Sequence, residues 1–142
     1  MSGDLSKLYS SIIRSHNEAP YHFEKRTAGE ALKAYNPVCG DRFEIFIEAE
    51  NGNIRQLHFH GFGCAVSKAS ASVMVRLLEG KSIDSALNLC NNFLGYMDQQ
   101  RGLEILSPDF NAFSAVHEFP ERYDCATLVW KEMKKYLTPQ NA

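Results

Sequence analysis

The sequence predicts an α+β fold, in which a small antiparallel sheet carries helices packed on one face. Phe43, Ile45 and Ile47 alternate with Glu44, Phe46 and Glu48, a spacing that suits a half-buried strand. The alternation resumes over 54–62, after an Asn-Gly pair at 51–52 that favours a hairpin. Beyond residue 65 the apolar spacing changes to the three-and-four period of a helix. Strands followed by a series of helices are typical of this class.

The segment before the hairpin predicts one helix and one loop. Leu5, Leu8 and Ile12 recur at helical spacing, which predicts an amphipathic helix over 4–15. The pattern from 17 to 35 is polar and irregular, so we expect a loop there that wraps around the domain.

The second half of the chain predicts four helical segments. Helical spacing over 66–78 stops at Gly80, a residue typical of helix C-termini. Ser82 is a suitable N-cap for the next helix. A short helix is expected over 108–116 and a last one over 125–137.

Length and composition limit the classes of function. The 142 residues, 44% of them hydrophobic, predict a single domain spanning 1–142, with a core that needs no metal or disulfide merely to fold. A formal net charge of −2 with scattered basic residues argues against nucleic-acid and membrane partners. The chain shows neither a signal peptide nor an apolar run of about 18 residues, so we expect a cytoplasmic protein with reduced thiols.

Three of the four cysteines lie at predicted element junctions. Cys39 precedes a strand, Cys64 joins a strand to a helix, and Cys125 opens the last helix. Helix N-termini favour anions and lower thiol pKa values, and thiolates are ligands that suit zinc or iron. Asp41 would supply a fourth anionic donor, although the local Cys-x-x-Cys pairs of structural zinc sites are missing. Spacing alone leaves two interpretations open: one metal or reactive-thiol site, or three unrelated cysteines.

Other residues that could carry chemistry have simpler explanations. His58 and His60 share one face of a strand, and two solvent-facing histidines are favoured over a chelating pair. Cys90 lies inside an apolar helical run and is expected to be a small buried hydrophobe. We expect His117 at the surface, and Trp130 packed on the core or on a partner.

Three segments carry a resemblance to a known family. NPVCGDRFEIFIE, FHGFGCAVSKASASVMVRLLEGKS and ERYDCATLVWK, in this order, resemble the U-type iron–sulfur cluster assembly proteins of the NifU N-terminal and IscU-like superfamily, over roughly residues 4–137. The chain is most similar to the SufU subfamily. It has Asp124 where IscU scaffolds have a histidine before the third cysteine, it lacks their Leu-Pro-Pro-x-Lys motif, and it carries a longer segment between the second and third cysteines.

The resemblance implies a set of site residues. The family's zinc ligands correspond to Cys39, Asp41, Cys64 and Cys125, and its sulfur acceptor to Cys39. Arg122 matches a family arginine three residues before the last cysteine, and we assign it a catalytic role as a cation near the anionic site.

The resemblance also implies a function. It predicts a zinc-dependent sulfurtransferase that accepts persulfide sulfur from a pyridoxal-phosphate-dependent cysteine desulfurase of the SufS type, with a SufBCD-type scaffold downstream. A desulfurase histidine would replace Cys39 on zinc. Two alternatives stay open: a scaffold on which a [2Fe–2S] cluster is assembled, and a binding module with a structural zinc. One departure is Asp124, where SufU chains commonly have a basic residue; it is a candidate competitor of Asp41 for the metal.

Overall fold

The computed structural model describes residues 10–139. Within this range three strands form one antiparallel sheet in the order β1-β2-β3. Four α-helices and two 3-10 segments complete the architecture and confirm the α+β prediction. The elements are α1 Ser11–Glu18, β1 Glu30–Asn36, β2 Asp41–Glu50, β3 Asn53–Phe62, α2 Ala65–Leu78, α3 Ile83–Met97, the 3-10 segments Pro108–Glu118 and Pro120–Arg122, and α4 Tyr123–Leu137.

The sheet topology brings two chain connections to one end of the sheet. β2 and β3 are joined at the far end by Asn51 and Gly52, which both have positive φ, as the predicted hairpin turn requires. At the near end Asn36 pairs with Asp41, and Arg42 pairs with Phe62. The turn from β1 to β2 and the connection from β3 to α2 therefore lie side by side.

Helix α2 forms the centre of the core. It packs against α1, α4 and β3, and its stretch from Ala69 to Val75 is fully buried. Small residues in this stretch let the flanking helices approach closely. Trp130 is fully buried and its ring contacts those of Phe93 and Phe110, which places it in the core rather than at a partner surface. No helix of the described residues is both long and apolar enough to cross a membrane.

The predicted loop over 17–35 is wrong in its last part, because residues from Glu30 onwards form β1. The sequence of β1, EALKAYN, is rich in residues that disfavour strands, and its buried side chains are only Ala34 and Asn36. Pairing with β2 defines this edge strand more than its own composition does. The first helix also differs: α1 runs three residues beyond the predicted end at residue 15, and the predicted part over 4–9 lies outside the described residues.

The prediction of solvent-facing histidines on β3 is also wrong. His58 is only 7% exposed and stacks on His22, with ring centroids 4.5 Å apart. His60 is half-buried and stacks on Phe23 at 4.6 Å. Phe23 forms a parallel bridge with Phe59, so the segment before β1 covers this part of the sheet. Sequence periodicity could not reveal a cover that comes from an irregular segment.

Candidate metal centre

The turn between β1 and β2 leaves the thiol of Cys39 at the surface and the carboxylate of Asp41 in the interior. The Gly40 amide donates to the Asn36 carbonyl at 2.8 Å, and the Val38 amide donates to the Asn36 side chain at 3.2 Å. Gly40 has φ +76°, a conformation that favours glycine. As a result Cys39 is exposed on the turn, whereas Asp41, the first residue of β2, is fully buried.

The other two cysteines lie at the starts of helices. Cys64 is the N-cap of α2, half-buried, and its sulfur accepts a hydrogen bond from the Ser67 amide at 3.4 Å. Cys125 lies in the first turn of α4 and is 1% exposed. Free amide groups and the helix dipole favour negative charge at both positions.

The two carboxylate oxygens of Asp41 differ in their hydrogen bonding. Oδ1 accepts hydrogen bonds from the Cys64 amide at 3.2 Å and from the Ser67 hydroxyl at 3.0 Å. Oδ2 is buried and has no hydrogen-bond partner among the described residues. A buried carboxylate oxygen without a partner is costly, and a cation bound there would satisfy it. Gly63 is required nearby, because a Cβ there would lie 2.6 Å from Oδ1.

The donor atoms converge. The sulfurs of Cys39 and Cys125 and a carboxylate oxygen of Asp41 all lie within 4.8 Å of one another, a group that could hold a metal ion. Cys64 lies next to Cys125 but outside this group. Soft thiolates with one carboxylate suit zinc or iron. The unpartnered Oδ2 and this donor chemistry both fit a bound metal.

Cys64 and Cys125 shift each other's pKa values in opposite directions. The hydrogen bond from Cys125 is the main reason that the pKa of Cys64 is lowered to about 5, and Ser67 contributes in the same direction against burial and Asp41. The same interaction, followed by burial and the proximity of Asp41, raises the pKa of Cys125. The Cys64 thiol is therefore the more acidic of the two. A metal ion bound here would displace protons from the sulfurs that hold it.

Three further residues were singled out from the sequence: Arg122, Asp124 and His117. Arg122 ends a 3-10 segment directly before α4 and is half-buried. Asp124 is exposed and lies outside the converging group. His117 is half-buried, with Nε2 3.0 Å from the Tyr96 carbonyl. Sequence reasoning missed Ser67, although it stands three residues after Cys64 at a helix N-terminus, where a hydroxyl readily meets a neighbouring carboxylate.

The fold and this donor set define a class: small α+β domains that gather cysteine thiols from separate element junctions into one centre. The NifU-like N terminal domain matches residues 8–137, and the chain belongs to this family.

Two relatives and one solved structure cover nearly the whole chain. It is 33% identical to the zinc-dependent sulfurtransferase SufU of Bacillus subtilis, over 94% of this chain and 92% of the relative. It is 30% identical to the iron–sulfur cluster assembly scaffold protein IscU of Streptococcus pyogenes serotype M1, over 96% and 92%. The crystal structure of a SufU from Fervidobacterium islandicum, a candidate scaffold protein for the SUF system, matches with a TM-score of 0.87 and 27% identity, over 96% of this chain and 100% of that one.

Proposed function

We propose that this protein is a zinc-dependent sulfurtransferase that accepts persulfide sulfur from a cysteine desulfurase for iron–sulfur cluster assembly. One observation carries the proposal: Cys39 is exposed, yet its sulfur lies within 4.8 Å of donor atoms on the buried Asp41 and Cys125. Buried donors suit holding a metal, and an exposed thiol suits meeting a partner. The similarity to a protein named as a zinc-dependent sulfurtransferase supports the same role.

Each residue of the centre has a proposed part. Cys39, Asp41, Cys64 and Cys125 would hold zinc, with Oδ2 as the carboxylate donor because Oδ1 is already hydrogen-bonded. When bound, zinc keeps the thiols ionised at neutral pH. Arg122, three residues before Cys125, is proposed to balance the negative charge of the donors.

Sulfur transfer then follows thiol–disulfide exchange chemistry. The Cys39 thiolate attacks the terminal sulfur of a persulfide on the desulfurase, and a new sulfur–sulfur bond forms on Cys39. The sulfur–sulfur bond of the desulfurase persulfide breaks, and its cysteine leaves as a thiolate. No external oxidant or reductant is needed. The position of Cys39 on the turn makes its sulfur the accessible nucleophile of the four donors.

The proposal includes partners and a compartment. The sulfur donor is a pyridoxal-phosphate-dependent desulfurase of the SufS type, which carries out the cofactor chemistry itself. The sulfur would pass to a SufBCD-type scaffold. Because the chemistry requires reduced thiols, we propose a cytoplasmic location.

A desulfurase assay with metal analysis tests this function. The purified protein should contain one zinc per chain and should accelerate the release of sulfur from cysteine by its desulfurase. Cys39→Ser is the control for the acceptor, and it should remove the acceleration. If the unaltered protein with zinc bound leaves desulfurase turnover unchanged, a structural zinc module is the better explanation.

A second candidate is a scaffold on which a [2Fe–2S] cluster is assembled. It is favoured by the similarity to a protein named as an IscU scaffold, and thiolate donors also suit iron–sulfur clusters. Purification without air separates the two candidates. A colourless protein with zinc supports the sulfurtransferase, whereas a brown protein containing iron and sulfide supports the scaffold.

A further inference from the structure

A groove crosses the outer face of the sheet at the end that carries Cys39. It encloses about 470 Å³ and spans all three strands. Its lining includes Ala34 and Phe43, whose side chains are buried in the core, and the more exposed residues on either side of them along β1 and β2. We call it the outer groove. The basic and aromatic side chains that line it on the outer face are Lys25, Lys33, Tyr35, Arg42, His60 and Phe62.

The outer groove is cationic on a chain whose formal net charge is −2. Lys25, Lys33 and Arg42 form no ion pair within residues 10–139, and Glu44 is the one acidic residue of the lining. The Arg42 guanidinium instead lies over the Tyr35 ring, 5.0 Å from its centroid. Basic groups without acidic partners attract carboxylates from another molecule.

Exposed apolar side chains gather at the same end. Phe62 is 66% exposed, Tyr35 is 54% exposed, and Val38 on the Cys39 turn is 90% exposed. Phe62 and Tyr35 flank Arg42 across the paired strands, so aromatic and basic groups alternate along one row. Apolar groups clustered on a surface beside unpaired charges are typical of a protein-binding surface.

We propose that the outer groove binds an acidic segment of the sulfur-donating desulfurase, with an apolar side chain of that segment against Phe62 and Tyr35. The inference rests on the proposed function and adds to it the surface and the chemistry of recognition. The lysines would attract the segment, and its place beside the Cys39 turn would bring the partner to the exposed thiol. A second copy of the chain is the other conceivable occupant, and the test distinguishes it.

The test compares substitutions of two exposed lysines, which change the net charge by the same amount. Lys33→Glu reverses a charge in the outer groove, and Lys81→Glu does the same on an exposed residue beyond the opposite end of the sheet. Calorimetric titration with the purified desulfurase should show an affinity weakened about 10-fold for Lys33→Glu and nearly unchanged for Lys81→Glu. The difference should shrink as salt is added. Lys33→Arg, which keeps the positive charge, should bind the desulfurase as tightly as the unaltered protein. Zinc content and circular dichroism should be the same in all variants.

The outcomes separate this inference from the proposed function. If Lys33→Glu and Lys81→Glu bind the desulfurase equally while the unaltered protein still gains sulfur on Cys39, the outer groove is not the binding surface and the proposed function stands. If Lys33→Glu alters self-association in sedimentation instead of desulfurase binding, the occupant is a second copy and the inference is overturned. If the unaltered protein neither binds the desulfurase nor gains sulfur, both fail.

Discussion

Cys64 and Cys90 belong to neighbouring helices, yet their thiols have opposite properties. Cys64 caps α2, and a hydrogen bond from Cys125 is the main reason that its pKa is lowered to about 5. Cys90 lies in the middle of α3, and burial raises its pKa to about 12. Within a helix the backbone amides are already paired and cannot donate to a thiol, so burial dominates the pKa of Cys90. At a helix start the amides are free, and chain connections bring in other donors.

The comparison shows that chemistry and packing occupy different places in this fold. Element junctions at one end of the sheet gather the donors of the candidate metal centre. The interiors of the helices supply the core, including the aromatic cluster around Trp130. Substitutions at the junctions should therefore change metal binding and sulfur acceptance, whereas substitutions in the helix interiors should change the free energy of unfolding.

The largest effect is expected from the cysteines at the junctions. Cys64→Ser or Cys125→Ser each removes a thiolate from the centre, so both zinc binding and sulfur acceptance should be lost. Metal analysis and persulfide detection after mixing with desulfurase and cysteine measure the two losses. Full activity of Cys64→Ser would contradict a shared centre, because that thiol would then be dispensable.

A smaller effect is expected for Asp41→Ala. Three thiolates remain to hold zinc, but the loss of one anion makes the sulfurs poorer nucleophiles and holds Cys39 more firmly. We expect zinc to remain bound after purification, although with weaker affinity, and sulfur acceptance to slow, measured as zinc stoichiometry and as the rate of persulfide formation on Cys39. Asp124→Ala is the matched control, since that carboxylate is exposed and outside the centre. A normal rate in Asp41→Ala would remove the carboxylate from the transfer.

Ser67→Ala tests whether the Ser67 hydroxyl positions the Asp41 carboxylate for metal binding. The Ser67 hydroxyl holds Oδ1 of Asp41 and so fixes the direction of Oδ2. Loss of such a supporting contact typically weakens metal binding about 10- to 100-fold, which competition with a chromogenic chelator measures. Ser72→Ala is the control on the same helix, because Ser72 is also fully buried but bonds to His16 and the Tyr21 amide, away from the centre. Equal zinc affinity in the two variants would show that Ser67 does not position Asp41.

Metal removal should affect stability more than secondary structure. Cys125 belongs to the core cluster and Cys64 packs against it, but most of the core consists of other apolar side chains. A strong chelator should therefore lower the melting temperature and leave helical circular dichroism largely intact at room temperature. Complete loss of helical signal on chelation would mean that the metal, rather than the core, holds the fold.

The smallest effect on function is expected from Cys90→Ser. A hydroxyl placed in this apolar position lowers the free energy of unfolding by about 1–3 kcal/mol, as measured by urea denaturation. Sulfur acceptance should remain at the level of the unaltered protein. A loss of acceptance in stably folded Cys90→Ser would break the distinction between the two kinds of cysteine.

Sequence patterns predicted the parts of the fold that depend on local chemistry. The hairpin followed from Asn51 and Gly52, and the end of α2 before Gly80 followed from helical spacing. β1 was missed because its identity as a strand comes from pairing with β2. The cover over His58 was missed because it comes from an irregular segment far away in the sequence.

The candidate site was predictable in its residue types but not in its internal contacts. Cys39, Asp41, Cys64 and Cys125 stood out by their places at junctions and by family resemblance. The separate environments of the two Asp41 oxygens, and the part of Ser67 in them, depend on side-chain geometry that spacing does not encode. The outer groove likewise forms only when three strands are aligned. The roles of the four donors and of Arg122 remain predictions.

The central claim is that Cys39, the exposed thiol beside buried donors, is the sulfur acceptor. The most direct measurement maps the added sulfur after the zinc-loaded protein is mixed with desulfurase and cysteine, by differential alkylation and mass spectrometry of all four cysteines. The account predicts one extra sulfur on Cys39 and none on Cys64, Cys90 or Cys125. Sulfur found first on Cys64 or Cys125, with Cys39 unmodified, would contradict it.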